Sequence, residues 1–137
     1  MHHQETLRVA TPGRGLTDLT EEVQAVVTRS GVDGGLAVVH CAHTSASLVI
    51  QENADPSVQR DLLAWLERLA PDGDPAYTHT AEGPDDMAAH LRSAVTRSNE
   101  AIPIVGGRLA LGTWQGLYLV EHRAAPHARR VLVHVQS

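Results

Sequence analysis

Short strand-like segments that follow one another across turns, with no helix between them, fill the last third of the chain. They run over residues 101–105, 108–111, 113–123 and 130–135, and Gly106-Gly107 provides the turn between the first two. Consecutive strands of this kind pair antiparallel. The pattern therefore favours a layered α+β domain over a doubly wound parallel sheet.

Three amphipathic segments in the first two thirds of the chain predict helices. The first spans about residues 18–30, where Asp18 and Glu21 form a capping-box pattern ahead of an apolar stripe. The second begins at Asp55-Pro56 and the third at Asp85-Asp86, where acids fall in the first turn. The predicted buried faces are Val58, Leu62, Trp65, Leu66 and Leu69 on the second helix, and Met87, Leu91, Ala94 and Val95 on the third.

Further strands are predicted over residues 3–10, 36–41 and 47–50. The length of 137 residues suits one domain with a sizeable core. We therefore predict a single domain over residues 1–137, with a mostly antiparallel or mixed sheet and about three helices. Because Phe is absent and aromatic residues make up only 3%, aliphatic residues must fill the core, which favours additional burial between subunits.

Charge and cysteine content narrow the expected partners and compartment. The net charge is −5 and the 11 Lys and Arg residues are dispersed, so no basic stripe suits a nucleic acid. No apolar run has the length of a signal peptide or a membrane span, and Cys41 is the only cysteine. We expect a cytoplasmic protein that binds neither nucleic acid nor membrane, with Cys41 as a small core residue.

A polar segment around His43 interrupts the strand pattern. Thr44, Ser45 and Ser47 place hydroxyl groups beside the imidazole, and such a patch suits a phosphate or a carboxylate. The alternative is a turn whose hydroxyl groups satisfy its own backbone. Glu52 and Asn53 follow shortly afterwards and extend the polar stretch.

Three of the nine histidines come from separate elements and suit a metal ion. His43, His79 and His90 would supply three neutral imidazoles and leave one coordination position open, as in catalytic zinc sites. Their spacing is non-local, so histidines that are satisfied by structural hydrogen bonds are the alternative. His122, His127 and His134 form no such pattern and are expected on the surface or on a sheet face.

Gln115 and Glu121 share one face of a strand, with Leu117 and Leu119 between them. A buried Gln or Glu costs free energy unless it is paired. The two residues therefore belong to a polar site, or they pair with arginines such as Arg123 and Arg130.

Several motifs in this order resemble the YjbQ-like family over nearly the whole chain. The resemblance implies an α+β domain that assembles as a homotrimer, with a site between subunits or at a sheet edge, and a secondary thiamine-phosphate synthase activity. It also supports His43, His79 and His90 as motif histidines and Gln115 and Glu121 as a polar pair. The motifs are His43-Thr44-Ser45-Ala46-Ser47, Glu52-Asn53 with Asp55-Pro56, Tyr77 with His79, Glu82-Gly83, His90 and Gly112-Thr113-Trp114-Gln115-Gly116.

Three functions follow as hypotheses. The first is an enzyme in which a divalent metal ion, zinc or magnesium, polarises a small anionic or phosphorylated metabolite, with weak thiamine-phosphate synthase activity. The second is a metal-dependent hydrolase of a small phosphorylated metabolite, and the third is a non-catalytic ligand-binding trimer. The expected residues are His43, Glu52 and Glu121 for catalysis, Thr44, Ser45, Ser47, Asn53 and Gln115 for substrate binding, and His43, His79 and His90 for the metal.

Overall fold

The structure, a computed structural model, describes all 137 residues and contains three helices and eight strands. None of the helices is both long enough and apolar enough to cross a membrane. In chain order the elements are β1 (His2–Thr11), β2 (Gly15–Asp18), α1 (Thr20–Ser30), β3 (Gly35–Cys41), β4 (Ala46–Glu52), α2 (Pro56–Leu69), α3 (Asp86–Val95), β5 (Asn99–Val105), β6 (Arg108–Leu109), β7 (Gln115–Glu121) and β8 (His127–Gln136).

The strands form two sheets in which every pairing is antiparallel. The larger sheet has the order β1-β8-β3-β5-β6, and the smaller has the order β2-β7-β4. The first and last strands pair along their whole length, from His2 with Gln136 to Thr11 with His127. The predicted α+β domain with antiparallel sheets and three helices is confirmed.

One apolar core lies between the inner faces of the two sheets and α1. Alternate residues of β8, namely Val131, Val133 and Val135, point inward, and the helix contributes Val23, Val26 and Val27. Cys41 is buried in this core as predicted, and its burial raises the pKa of the thiol to about 11. The thiol is therefore a packing group rather than a nucleophile.

The prediction of which face of α3 is buried is wrong within the single chain. Leu91 and Val95 are 37% and 55% exposed. The buried residues of α3 are instead Asp86, Ala88, Ala89 and Arg92. The alanines let the helix lie close to β4, and the polar residues of the same face enter a buried hydrogen-bond network. On α2 only Leu66 of the predicted stripe is fully buried.

Three connections between the two sheets lie at the same end of the domain; one, residues 12–14, joins β1 to β2, and the other two are named the first and second crossings. The first crossing, residues 42–45, connects β3 to β4, and the second crossing, residues 122–126, connects β7 to β8. Ala46 pairs with Glu121, and Cys41 pairs with Val131, so the two crossings lie side by side. Polar residues of both crossings therefore meet where the apolar core ends.

Candidate functional site

Two histidines converge on one carboxylate oxygen beside the crossings. The Nε2 atoms of His79 and His90 lie 2.7 Å and 3.1 Å from Oδ2 of Asp86. His90 follows Asp86 by one turn of α3, whereas His79 comes from the loop before the helix. These three ligand atoms lie within 4.8 Å of one another. We name these residues the histidine–aspartate group, and their donor atoms have the chemistry and spacing of metal ligands.

The backbone of the first crossing sets the tautomer of His90. Nδ1 of His90 lies 3.0 Å from the carbonyl oxygen of Thr44, which only accepts, so Nδ1 carries a proton. In the neutral ring Nε2 therefore has a lone pair, which faces the carboxylate of Asp86. Two acceptors at this distance need a proton or a metal ion between them. The arrangement thus favours a cation at Nε2 of His90.

Arg123 holds Asp86 from the side opposite the histidines. Its Nη1 donates to Oδ1 of Asp86 at 2.9 Å, and its Nε donates to Asp85 at 3.0 Å. Burial acts to raise the pKa of Asp86, but the hydrogen bond with His79 and nearby positive charges hold the pKa below its ordinary value. Asp86 is therefore available as an ionised ligand.

His43 lies on the first crossing but outside the histidine–aspartate group. Its Nε2 accepts a hydrogen bond of 2.8 Å from the backbone N–H of Arg130. Burial lowers the pKa of His43, and so do the charges of Arg129 and Arg130, which keeps the ring neutral. The structure thus brings together two of the three histidines predicted to bind metal, with Asp86 as the third member. From its sequence position, Asp86 is predicted only as an acid in the first turn of a helix.

Gln115 and Glu121 lie at opposite ends of β7, and only Glu121 is near the crossings. Arg129 donates to its two carboxylate oxygens, from Nε at 2.8 Å and from Nη2 at 2.5 Å, and Thr11 donates at 2.7 Å. The partner is Arg129 rather than Arg130, because Arg129 takes an inward position on β8. The period-2 alternation of β8 was the signal that could have identified it.

Glu121 is poorly placed for proton transfer to a substrate. It is 1% exposed, and Oε2 also accepts from the backbone N–H of Arg123. Burial acts to raise its pKa, but the hydrogen bonds from Arg129 and Thr11 hold the pKa below its ordinary value. The carboxylate therefore orients Arg129.

Glu52, Asn53 and Gln115 lie at the far end of β4 and β7. Glu52 pairs with Gln115, whereas Ala46 pairs with Glu121 at the end beside the crossings. At about 3.3 Å per residue, the two ends are about 20 Å apart. Within one chain, these three predicted site residues are therefore not brought together with the histidines.

Ser47 and His122 belong to a buried hydrogen-bond relay. Nε2 of His122 lies 2.8 Å from Oγ of Ser47, which lies 2.5 Å from Oγ1 of Thr96. The Thr96 hydroxyl donates to the carbonyl oxygen of Arg92 at 2.9 Å, so each group donates to the next, starting from His122. Ser47 is fully buried and does not reach the surface.

The surface or sheet-face position expected for His122 is wrong. The ring is 1% exposed because the second crossing passes beneath α3. This burial lowers the pKa of His122 to about 4, and the charge of Arg92 contributes in the same direction.

The loop between α2 and α3 carries His79 and is fastened by two arginines. Asp72 accepts from Arg14 at 2.9 Å and from Arg92 at 3.0 Å. Arg92 is only 1% exposed, and its Nε has no hydrogen-bond partner. Tyr77 and His79 line a cavity of about 370 Å³ in this loop.

A second, open depression adjoins the histidine–aspartate group. It has a volume of about 600 Å³ and is lined in part by His43, Thr44 and Ser45. The Thr44 carbonyl oxygen that receives the His90 hydrogen bond connects the two features. The polar segment predicted around His43 thus faces an accessible space.

Relatives match this chain over most or all of its length. A family model described as UPF0047 protein YjbQ-like matches residues 5–137. A UPF0047 protein of Synechocystis sp. is 56% identical over 98% of this chain and 92% of its own length. The UPF0047 protein YjbQ of Escherichia coli O157:H7 is 36% identical over 100% of this chain and 99% of its own length.

Solved structures share the fold. A conserved hypothetical protein from Thermus thermophilus is 36% identical and superimposes with a TM-score of 0.87, covering 96% of this chain and 99% of that one. An uncharacterised YjbQ/UPF0047 protein from Clostridium acetobutylicum is 38% identical with a TM-score of 0.85, covering 98% and 99%. The domain architecture is therefore common to these proteins.

Proposed function

The chain belongs to the YjbQ-like UPF0047 family, and on that premise we propose that it is a metal-dependent enzyme acting on a small anionic metabolite. Thiamine-phosphate synthesis would be a weak secondary activity. The observation that carries the proposal is the convergence of His79 and His90 on Asp86, beside an open depression.

The donor set fits a divalent ion that prefers nitrogen ligands. Two imidazoles and one carboxylate recur in catalytic zinc and non-haem iron sites, whereas magnesium prefers oxygen ligands. With bonds of about 2.0 Å, tetrahedral ligand atoms lie ~3.3 Å apart. The present distances of 2.7 Å and 3.1 Å need only small side-chain shifts to reach that spacing.

The surrounding residues orient this group for chemistry. A divalent ion, when bound, would polarise a substrate oxygen or acidify a water molecule. Arg123 holds Asp86 in place, and the Thr44 carbonyl oxygen directs the lone pair of His90 inward. Thr44 and Ser45 line the depression in which we place the substrate, and both carry hydroxyl groups.

We also propose that the chain assembles as a homotrimer. The adjacent helices α2 and α3 carry apolar side chains that the single chain leaves exposed: Trp65 at 48%, Leu69 at 50% and Val95 at 55%. Clustered apolar surface of this kind marks interfaces. Glu52 and Gln115, remote within one chain, would then reach a site only in a neighbouring subunit.

Metal content measured by elemental analysis tests the proposal. We expect about one zinc or iron ion per chain in the wild type, and its loss in His79→Ala, Asp86→Asn and His90→Ala. His43→Ala should retain the ion, because His43 stands outside the group, and His134→Ala on the outer sheet face is the matched control. A wild type that binds no ion after reconstitution contradicts the proposal.

A panel of small phosphorylated metabolites tests the enzymatic part. Turnover should require the ion and should be absent in Asp86→Asn. Binding without turnover across the panel would instead support the non-catalytic ligand-binding trimer.

A further inference from the structure

Three hydrogen-bond donors without acceptors meet at the first crossing. The imidazole of His43 meets the guanidinium of Arg129, with Nη1 of Arg129 lying 3.5 Å from Nδ1 of His43. The Nε2 atom of His43 accepts from a backbone N–H at 2.8 Å, so in the neutral ring the proton is on Nδ1. Nδ1 of His43 and Nη1 of Arg129 are therefore both donors, and neither accepts a hydrogen bond from the other.

Ser45 supplies the third donor. Its Oγ accepts from Nη2 of Arg129 at 3.1 Å, which leaves its own hydroxyl hydrogen free to donate. His43 and Ser45 both line the open depression of about 600 Å³. Arg129 is 4% exposed and does not line the depression. An acceptor that enters from solvent would therefore meet His43 and Ser45 directly, with Nη1 of Arg129 3.5 Å from Nδ1 of His43.

We propose that this crossing binds a phosphate group of the substrate, whose oxygens accept from Nδ1 of His43, Nη1 of Arg129 and Oγ of Ser45. Guanidinium, imidazole N–H and hydroxyl groups are common phosphate donors, and three diverging acceptor oxygens match three converging donors. Glu121 occupies Nε and one hydrogen of Nη2, so it fixes the plane of Arg129 and leaves Nη1 unpaired.

The phosphate site adjoins the histidine–aspartate group. Thr44 lies between His43 and Ser45 in the chain, and its carbonyl oxygen binds His90. A phosphate held at the crossing would place the rest of a small metabolite beside the proposed metal position. The assignment of this phosphate to the substrate rests on the proposed function, whereas the donor geometry does not require a metal ion.

Calorimetric titration with inorganic phosphate, on chelator-treated protein, tests the site separately from the metal. We expect saturable binding in the wild type, and weakening by about tenfold in His43→Ala and in Ser45→Ala, the loss typical of a hydrogen bond to a charged group. These variants are chosen because Arg129→Gln would leave Glu121 buried without its partner and endanger folding.

Two controls separate the proposals. Arg130→Ala removes the neighbouring positive charge. Because the Arg130 side chain points outward on β8, this change should alter phosphate affinity by less than about twofold at physiological salt. His79→Ala should bind phosphate like the wild type even though it loses the metal. Absence of phosphate binding in the wild type, or wild-type affinity in both His43→Ala and Ser45→Ala, would overturn the phosphate site and leave the metal site standing.

Discussion

Hydrogen-bond partners give three histidines of the same region different roles. Nε2 of His43 accepts from a backbone N–H, Nδ1 of His90 donates to a carbonyl oxygen, and Nε2 of His122 donates to Ser47. Each partner determines which ring nitrogen keeps a lone pair. One residue type would therefore supply a donor to the proposed phosphate, a ligand of the proposed metal ion and a structural donor, at the two crossings and on the adjacent helix α3.

Protonation of His122 should make the stability of the fold depend on pH. Its pKa falls from 6.5 to about 4 on folding, so between pH 7 and pH 5 the unfolded chain takes up a proton that the folded protein does not. The free energy of unfolding should fall by about 2 kcal/mol over this interval. In His122→Gln, which does not titrate and keeps a donor for Ser47, this part of the pH dependence should vanish. Urea unfolding of the wild type and His122→Gln at pH 7 and pH 5 measures the two free energies of unfolding. An equal decrease in both proteins would refute the low pKa assigned to His122.

At the scale of elements, α3 and the preceding loop form one supporting unit for the histidine–aspartate group. The packed face of α3 contributes Asp86 and Arg92, and Arg92 reaches Asp72 at the start of the loop that carries His79. The position of a metal-ligating residue on a loop is only as fixed as the contacts that hold the loop to the rest of the fold. Asp72, which also accepts from Arg14, is one polar anchor of this loop, and the Glu82 carbonyl oxygen, which accepts from Arg123, is another.

Removal of the Asp72 anchor should loosen His79 without removing a ligand. In Asp72→Asn we expect metal affinity to fall by less than the ~tenfold typical of losing a direct hydrogen-bond partner of a metal ligand, because Asp72 acts on His79 only through the loop. Amide hydrogen exchange should accelerate in residues 73–84. Asp74→Asn is the matched control, since Asp74 only accepts from the backbone N–H of Ala76 in its own turn. Equal metal affinities in the two variants would show that the Asp72 anchor does not position His79.

At the scale of the whole molecule, one end of the two-sheet arrangement is polar and one helical side is apolar. The polar end exists because β3 and β7 both leave their sheets there, so the core closes with the Glu121–Arg129 ion pair. The apolar side consists of α2 and α3, whose exposed side chains have no partner within the chain. The polar end suits ligand binding and catalysis, and the apolar helical side suits contact between subunits.

Light scattering after size exclusion tests the trimer. The wild type should have the mass of three chains, and Trp65→Glu and Val95→Glu should dissociate it, because a charge on a buried apolar interface is costly. Val105→Glu, at a 68% exposed position beside the β5–β6 turn, is the control and should remain a trimer. A monomeric wild type at micromolar concentration would contradict this assembly.

Local patterns of the sequence determined all the elements except β2, whose four residues are too few to show an alternation. Asp55 caps α2 as predicted, its side chain accepting from the Ser57 N–H at 2.9 Å, because capping involves only neighbouring residues. The predicted strands likewise follow from alternation, which a single segment carries. The first helix begins at Thr20 rather than at Asp18, but Asp18 still accepts from the Thr20 N–H at 2.9 Å. The family motifs also predicted His79 and His90 as site residues, and the structure brings these two side chains together at Asp86.

Only the tertiary structure decided which polar groups meet. Asp86 lies with His79 and His90, where His43 was expected, and Glu121 pairs with Arg129 rather than Arg130. Both results depend on how the two crossings align, which the sequence does not show. The exposed side of α3 was likewise decided by packing against β4, since periodicity shows that a helix has an apolar face but not which face its neighbours cover. The sequence by itself therefore determined every element except β2 and the kinds of reactive groups, while non-local packing determined their partners.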